Sequence, residues 1–407
     1  MNSSYRYYLA LTSQFPFCGI PFRLDAYSTC QFGCRYCFAA ARGGAGGTLR
    51  MKVADPALLR RRLERLSNKG PQGVLDEMLD FRVPIHFGGM SDPFMPMETE
   101  KQITLTLLQI LAEHRYPTII STKGDLVERD EYVRILQLGK FAVQFSFSSL
   151  SDKFSSTLEP GTPSPSARLR ALRTLSEAGV TTAIRIQPYL PKRETDAYEL
   201  MYVAAAAGAR HVSVEHLKLP IERHWSNRER MNAAVGFDLE DFYRRRAAQR
   251  IGREWILPAL ERLPAITLLR AHCKRLGMSF GAADNDFLHW SDGLVCCSGA
   301  DLLGMGNGLQ FNFTTAVRRG IASRTIKFDS IRAEWRPMRS ISEFVNSHSR
   351  RRCGETVETY IRDRWNGATN GPSPMSYFGV SRSEEKDSNG FQIYSLAEQS
   401  VPDGPFQ

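Results

Sequence analysis

The chain has 407 residues, 42% of them hydrophobic, an ordinary globular composition that allows one large core with an appendage. No run of about eighteen apolar residues occurs, and the opening Met1-Asn2-Ser3-Ser4-Tyr5-Arg6 lacks the basic-then-apolar order of a signal peptide, so a cytoplasmic location without a membrane span is expected. The formal net charge of +10 rests mostly on arginine, whose fork suits phosphate oxygens, so nucleic acid is one natural partner; solvated helix faces give the same balance, and eight cysteines in a reducing compartment point to thiol chemistry rather than disulfides.

Residues 1–20 are aromatic and polar without a period and are expected to pack over one end of the fold. Residues 21–27 alternate like a strand and run into Cys30, Cys34 and Cys37. Three thiols this close together can converge on one small inorganic object. Zinc wants a fourth ligand, and none completes the set nearby. Three thiolates on a cubane iron–sulfur cluster leave the fourth iron open to a ligand that is not protein. Residues 42–47, Arg-Gly-Gly-Ala-Gly-Gly, then offer bare amides, either as a phosphate cradle or as a plain loop. Residues 55–66 read as an amphipathic helix, with arginines at 60, 61, 62 and 65 and leucines at 58, 59, 63 and 66.

From there the pattern is regular. Apolar runs at 83–87, 117–121, 141–147, 180–186 and 211–215 alternate with helical runs at 98–114, 129–138, 165–178 and 195–207. With the strand before the cysteines they make six βα units, hence a parallel sheet with right-handed crossovers whose chemistry belongs at the strands' C-terminal ends. Ser164-Pro165 predicts a helix start and Gly179 a helix end. Candidate site residues follow from three of those strand ends: Ser121, Thr122 and Lys123; Ser146 and Ser148; Arg185 and Gln187. Hydroxyls suit ribose and a cation suits a carboxylate. An inward arginine is costly unless paired, which favours Arg185, whereas His86 and His216 read as satisfied core groups.

Past Pro220 the pattern breaks. Residues 221–253 are rich in arginine, including Arg244-Arg245-Arg246; 254–276 reads as a helix, and 280–312 is aromatic and Gly-rich. Cys273, Cys296, Cys297 and Cys353 are enough for a second cluster or a zinc, or are buried or substrate-facing thiols. From about 371 the composition resembles a disordered tail. The expected organisation is an N-terminal extension over 1–20, a barrel over 21–220, an Arg-rich and Cys-containing extension over 221–370, and a tail over 371–407.

Cys-x3-Cys-x2-Cys followed by Phe38, together with Tyr27-Ser28-Thr29-Cys30, Gly89-Met90-Ser91-Asp92-Pro93-Phe94, Leu158-Glu159-Pro160 and the helix at 166–179, resembles the radical S-adenosylmethionine (radical SAM) superfamily. Within it, the branch named for DNA repair photolyases, related to spore photoproduct lyase, is most similar, over roughly residues 21–220. The resemblance implies an α/β fold, a partial (β/α)6 radical SAM barrel with a C-terminal α+β extension. It implies a 4Fe-4S cluster on Cys30, Cys34 and Cys37, with S-adenosyl-L-methionine held by Gly88, Gly89, Asp92, Lys123, Ser148 and Arg185. Here Met90 stands in the acidic position of the superfamily's Gly-Gly-Glu word. It further implies an electron donor such as flavodoxin or ferredoxin, and lyase- or transferase-type radical chemistry on a nucleic-acid base or nucleotide in DNA or RNA. Spore photoproduct lyase carries a donor cysteine before mid-barrel, whereas no cysteine occurs here between Cys37 and Cys273. Two alternatives stay open: radical SAM modification of a peptide or small metabolite, and a non-catalytic, metal-stabilised nucleic-acid-binding protein.

Overall fold

A computed structural model describes residues 5, 8–12, 14–41, 51–221, 227–251, 253–294, 296–306, 308–332, 334, 357–368 and 373–396. The Gly-rich run at 42–47 and Cys353 lie outside the described residues.

Strand β1 (Leu9–Leu11) pairs antiparallel with β2 (Phe22–Leu24). Five more strands then add in parallel: β3 (Ile85–Phe87), β4 (Thr118–Thr122), β5 (Phe141–Phe147), β6 (Thr181–Tyr189) and β7 (His211–His216). Helices cross over between them, among them Pro56–Lys69, Ile103–Glu113, Asp130–Leu138, Pro165–Glu177 and Glu194–Ala206. β8 (Leu219–Pro220), β9 (Gln249–Ile251) and β10 (Glu254–Ile256) form a separate antiparallel sheet. The helix Ala259–Arg275 then returns the chain to β11 (Ser279–Ala282), parallel to β7. The main sheet runs β1-β2-β3-β4-β5-β6-β7-β11 and its two ends do not pair, so the barrel is partial.

Alternation along the strands explains the two layers. Ile120, Val143, Ile184 and Val212 face outward into the main core with Leu107, Leu111, Leu172 and Leu175 from the helices. Ile119, Ala142 and Ala183 face inward, where Ile20, Cys296, Ala300, Leu303 and Met305 plug one end of the barrel. Above that plug the inner face becomes polar, because residues of the same parity toward the C-terminal ends are His86, Ser121, Gln144, Arg185, Ser213 and Glu215. The local signals hold at the helix 165–177: Ser164 caps it by accepting the Ala167 amide at 3.1 Å, and Gly179 leaves it at φ +80°.

Four expectations need correction. Residues 1–20 are not only a cover, since they supply β1 and send Ile20 into the barrel plug. The barrel does not end at 220: β11 joins it, because a Ser-Phe-Gly-Ala tetrad is too short to read as a strand until its neighbour β7 supplies the ladder. The helix expected over 254–276 starts only at Ala259, with β10 and Pro258 before it. Residues 373–396 are not a disordered tail. They form the helix Pro374–Phe378 and strands β13 (Ser381–Lys386) and β14 (Gln392–Ser395), which pair with β12 (Thr325–Ile326) in the order β12-β14-β13. Tyr377, Phe378, Phe391 and Tyr394 enter the main core with Phe17, Phe328 and Trp365. These aromatic anchors are spaced too widely to make a period, and the polar residues between them dominate the composition.

Candidate functional site

Cys30, Cys34 and Cys37 occupy the loop that leaves the C-terminal end of β2. Two neighbouring segments brace this loop. Arg35 N donates to Leu158 O at 2.8 Å and Gly161 N to Phe32 O at 3.0 Å; a Cβ on Gly161 would stand 2.9 Å from Phe32 O, so the close approach requires glycine. On the other side, Gln31 N reaches Met95 Sδ at 3.4 Å and Met97 N donates to Gln31 Oε1 at 2.7 Å. Burial pushes the Cys30 thiol up to about 12; the Asp92 carboxylate adds to this, and the amides of Asp92 and Phe32 oppose it. Burial also holds Cys34 well above the usual thiol range, with Lys123 opposing and Glu159, Cys30 and Cys37 adding. The three sulfurs therefore lie within one another's electrostatic reach, and a positively charged metal nearby would favour the thiolates of Cys30 and Cys34.

Among the described residues no three His, Cys, Asp or Glu side chains are gathered closely enough to enclose a single ion. A tetrahedral zinc would require sulfurs about 4 Å apart, given Zn–S bonds near 2.3 Å. A cubane spreads its thiolates wider, because each caps a different iron.

The segment after β3 is fastened from below. The wholly buried Asp25 accepts Met90 N at 2.7 Å and Ser91 N at 3.4 Å and pairs with Arg23; burial nevertheless raises its pKa. Gly88 sits at φ +92°, and a Cβ there would lie 2.5 Å from Ser121 O. Gly89 differs, because a Cβ there would meet Arg23 Cβ at 3.5 Å, an ordinary van der Waals contact that displaces nothing. Asp92 is engaged by the protein three times: by Phe94 N at 2.9 Å, Thr122 Oγ1 at 2.7 Å and Lys123 N at 2.6 Å. It clamps the loop after β3 to the end of β4. Burial raises its pKa and these donors oppose the rise.

Lys123 stands beside the cysteine loop, its Nζ 5.7 Å above the Tyr36 ring. The Ser148 hydroxyl is buried without a partner, as are Gln144 Nε2, Arg185 Nε and Ser213 Oγ on the inner face. Such orphaned groups cost free energy unless a ligand satisfies them, and they fit a polar cofactor at the barrel mouth. Arg185 approaches Glu215 at 3.8 Å, and the same carboxylate accepts Gln187 Nε2 and Lys218 Nζ. His86 is held to about 3 by burial and by the charges of Arg185 and Arg23; its Nε2 meets Ser121 Oγ at 2.7 Å. His216 is the satisfied group expected, with Nδ1 on Asp284 Oδ2 at 2.6 Å.

Of the possible second metal set, the described members do not all come together: Cys273, on the helix 259–275, belongs to the outer core, whereas Cys296 lies inside the barrel plug and Cys297 beside His211, whose Nε2 meets the Cys297 carbonyl at 2.8 Å. Cys18, which carries no local motif, and Cys297 both approach the Cys296 thiol. The arginine run is also more engaged than expected. Arg244 and Arg245 pair with Asp241 at 2.6 and 2.7 Å, and Arg246 pairs with Glu261 at 3.3 Å while lying over Phe242. Sequence reasoning missed Glu159 and Arg168 as individuals. Glu159 was visible only within the word Leu158-Glu159-Pro160, and Arg168 is one of three similar arginines, with 170 and 173, on its helix.

Among the described residues no helix is long and apolar enough to cross a membrane. A family model described as the radical SAM superfamily matches residues 26–202. An "Uncharacterized protein" of Mycobacterium tuberculosis is 30% identical over 217 residues, covering 49% of this chain and 60% of that protein. Another, of Methanocaldococcus jannaschii, is 26% identical over 179 residues, covering 42% and 62%. The chain thus spans less than two-thirds of the length of these curated relatives. The solved structure "Spore photoproduct lyase complexed with dinucleoside spore photoproduct" superimposes with a TM-score of 0.52 at 16% identity, covering 68% of this chain and 79% of that one, a likeness of fold. The family match falls on the partial barrel and the cysteine loop at its first parallel strand: residues 26–202 are similar to the radical SAM superfamily, a family whose cofactors are a 4Fe-4S cluster and S-adenosylmethionine.

Proposed function

We propose that this protein is a radical SAM enzyme in which Cys30, Cys34 and Cys37 hold the cluster, and which begins radical chemistry on a nucleic-acid base or nucleotide. The observation that carries the reading is a braced loop at the C-terminal end of a barrel strand that carries three half-buried thiols within one another's electrostatic reach. When bound and reduced, the cluster supplies the electron that splits S-adenosylmethionine into methionine and a 5′-deoxyadenosyl radical. The chain's own part is binding and exclusion. The bare backbone at Gly89, which carries no side chain, accepts close approach of the methionine end, with Asp25 fixing the amides that follow. Arg185 offers a cation to a carboxylate and the unpartnered Ser148 a hydroxyl to ribose. The plug built from Ile20, Cys296, Ala300, Leu303 and Met305 closes the far end of the barrel to water. An electron donor of the flavodoxin or ferredoxin kind is required.

The nucleic-acid substrate is supported by the fold likeness to spore photoproduct lyase and by the basic charge. The ion pairing of Arg244, Arg245 and Arg246 favours a second reading, in which the same chemistry serves a peptide or small metabolite. Anaerobic reconstitution with iron and sulfide, followed by dithionite and S-adenosylmethionine, should yield 5′-deoxyadenosine, and Cys30→Ala, Cys34→Ala and Cys37→Ala should each abolish it. Retention in all three variants would end the assignment. Binding to DNA or RNA that weakens steeply with salt favours the first substrate class; salt-insensitive behaviour favours the second.

A further inference from the structure

A charged network lies directly behind the cysteine loop. Arg168 and Glu159 have wholly buried side chains and meet at 2.6 Å. The Arg168 guanidinium also donates to Ser146 O at 2.7 Å, Pro163 O at 3.1 Å and Ser155 Oγ at 2.9 Å, so the end of β5 and the loop before its helix fix its position. The other oxygen of Glu159 accepts the Tyr36 hydroxyl, and Tyr36 lies between Cys34 and Cys37. Lys123 reaches the Tyr36 ring from the end of β4, and its charge and that of Glu159 both act on Cys34 with opposite sign. Asp92 contributes a further carboxylate near Cys30.

A buried ion pair is a weak device for stability, since apolar residues of similar size often hold a fold as well. Its cost needs another explanation, and through Tyr36 the network reaches the cysteine loop. We infer that Glu159 and Lys123 are an opposed charge pair that sets the reduction potential of the cluster on this loop, with Arg168 and Tyr36 as positioning residues that fix the Glu159 carboxylate beside Cys34. The inference rests on the cluster reading above. Reduction adds one negative charge to the cluster. A fixed carboxylate nearby opposes that step and an ammonium assists it, and both effects are strong in a buried, low-dielectric setting. Glu159 therefore lowers the potential and Lys123 raises it.

The test uses the full chain, loaded anaerobically with iron and sulfide and titrated without S-adenosylmethionine, with the reduced cluster followed by electron paramagnetic resonance. Glu159→Gln should make the cluster at least tenfold easier to reduce at a given potential, a positive shift of about 59 mV for one electron. Lys123→Met should shift it in the negative direction. Tyr36→Phe, which removes one hydroxyl, should keep the wild-type iron content and shift the potential in the same direction as Glu159→Gln, by less. If Glu159→Gln fails to fold, the Lys123→Met arm decides. Loaded variants with the wild-type potential overturn the inference and leave the cluster reading standing; a wild type that takes up no iron and sulfide overturns the cluster reading itself.

Discussion

Asp92 offers the sharpest test of how the loop after β3 is held. Replacing it with alanine strips the acceptor from Phe94 N, Thr122 Oγ1 and Lys123 N, which it now binds at 2.9, 2.7 and 2.6 Å. Hydrogen bonds to a charged acceptor contribute about 1.5–3 kcal/mol each, but removal also relieves the burial of a carboxylate, so the net cost should be about 2–4 kcal/mol. The raised pKa of Asp92 reports that same opposing burial. Asn at this position keeps one oxygen but turns an NH2 toward the Lys123 amide, costing about 1–3 kcal/mol for the donor left unpaired. Urea unfolding of the metal-free protein, followed by circular dichroism, measures both. An Asp92→Ala variant within about 0.5 kcal/mol of wild type, the range of an ordinary surface change, would refute the clamp.

Gly88→Ala forces a side chain into a left-handed conformation costing about 1–2 kcal/mol, in addition to the contact with Ser121 O. Gly89→Ala should leave stability within about 0.5 kcal/mol yet weaken S-adenosylmethionine binding; equal stability of the two variants in urea would contradict the geometry. At Asp284, burial opposes the charge, but His216, Arg262 and Lys218 hold the carboxyl well below its usual range. A depressed folded pKa means this stabilisation is complete above the ordinary aspartate value and is lost as pH falls through the folded one. Wild type should therefore lose stability on acidification below about pH 4 more steeply than Asp284→Asn, and parallel urea curves at pH 6 and pH 3 would exclude the effect. Ending the chain after residue 372 removes Tyr377, Phe378, Phe391 and Tyr394 from the core. Each buried aromatic is worth about 3–5 kcal/mol, so the shortened chain should lose its cooperative thermal transition; an unchanged melt would show those residues to be dispensable.

Much of the barrel is written in windows of a few residues. Apolar alternation at 141–147 becomes β5, Ser164-Pro165 becomes a capped helix start, and the spacing of Cys30, Cys34 and Cys37 keeps three thiols on one loop whatever the distant chain does. Such features persist because hydrogen bonding and side-chain direction repeat locally. Histidine 216 was read as a satisfied group for the same reason: it sits inside a strand, where a buried imidazole must find a partner.

The partner itself was not legible, since Asp284 lies 68 residues away. Tyr36 and Glu159 are 123 residues apart, Thr314 donates to Phe17 O across 297, and Cys18 meets Cys296 only because the loop between the first two strands and the late plug share the barrel interior. The sequence by itself determined a row of βα units with a three-thiol loop at the first of them. The tertiary structure alone decided that β11 extends the barrel, that residues 373–396 close the core, and that Glu159 and Lys123 bring their charges to the cysteines. Periodicity and short spacings are properties of a segment, whereas burial and charge pairing depend on which distant segments the folded chain brings together.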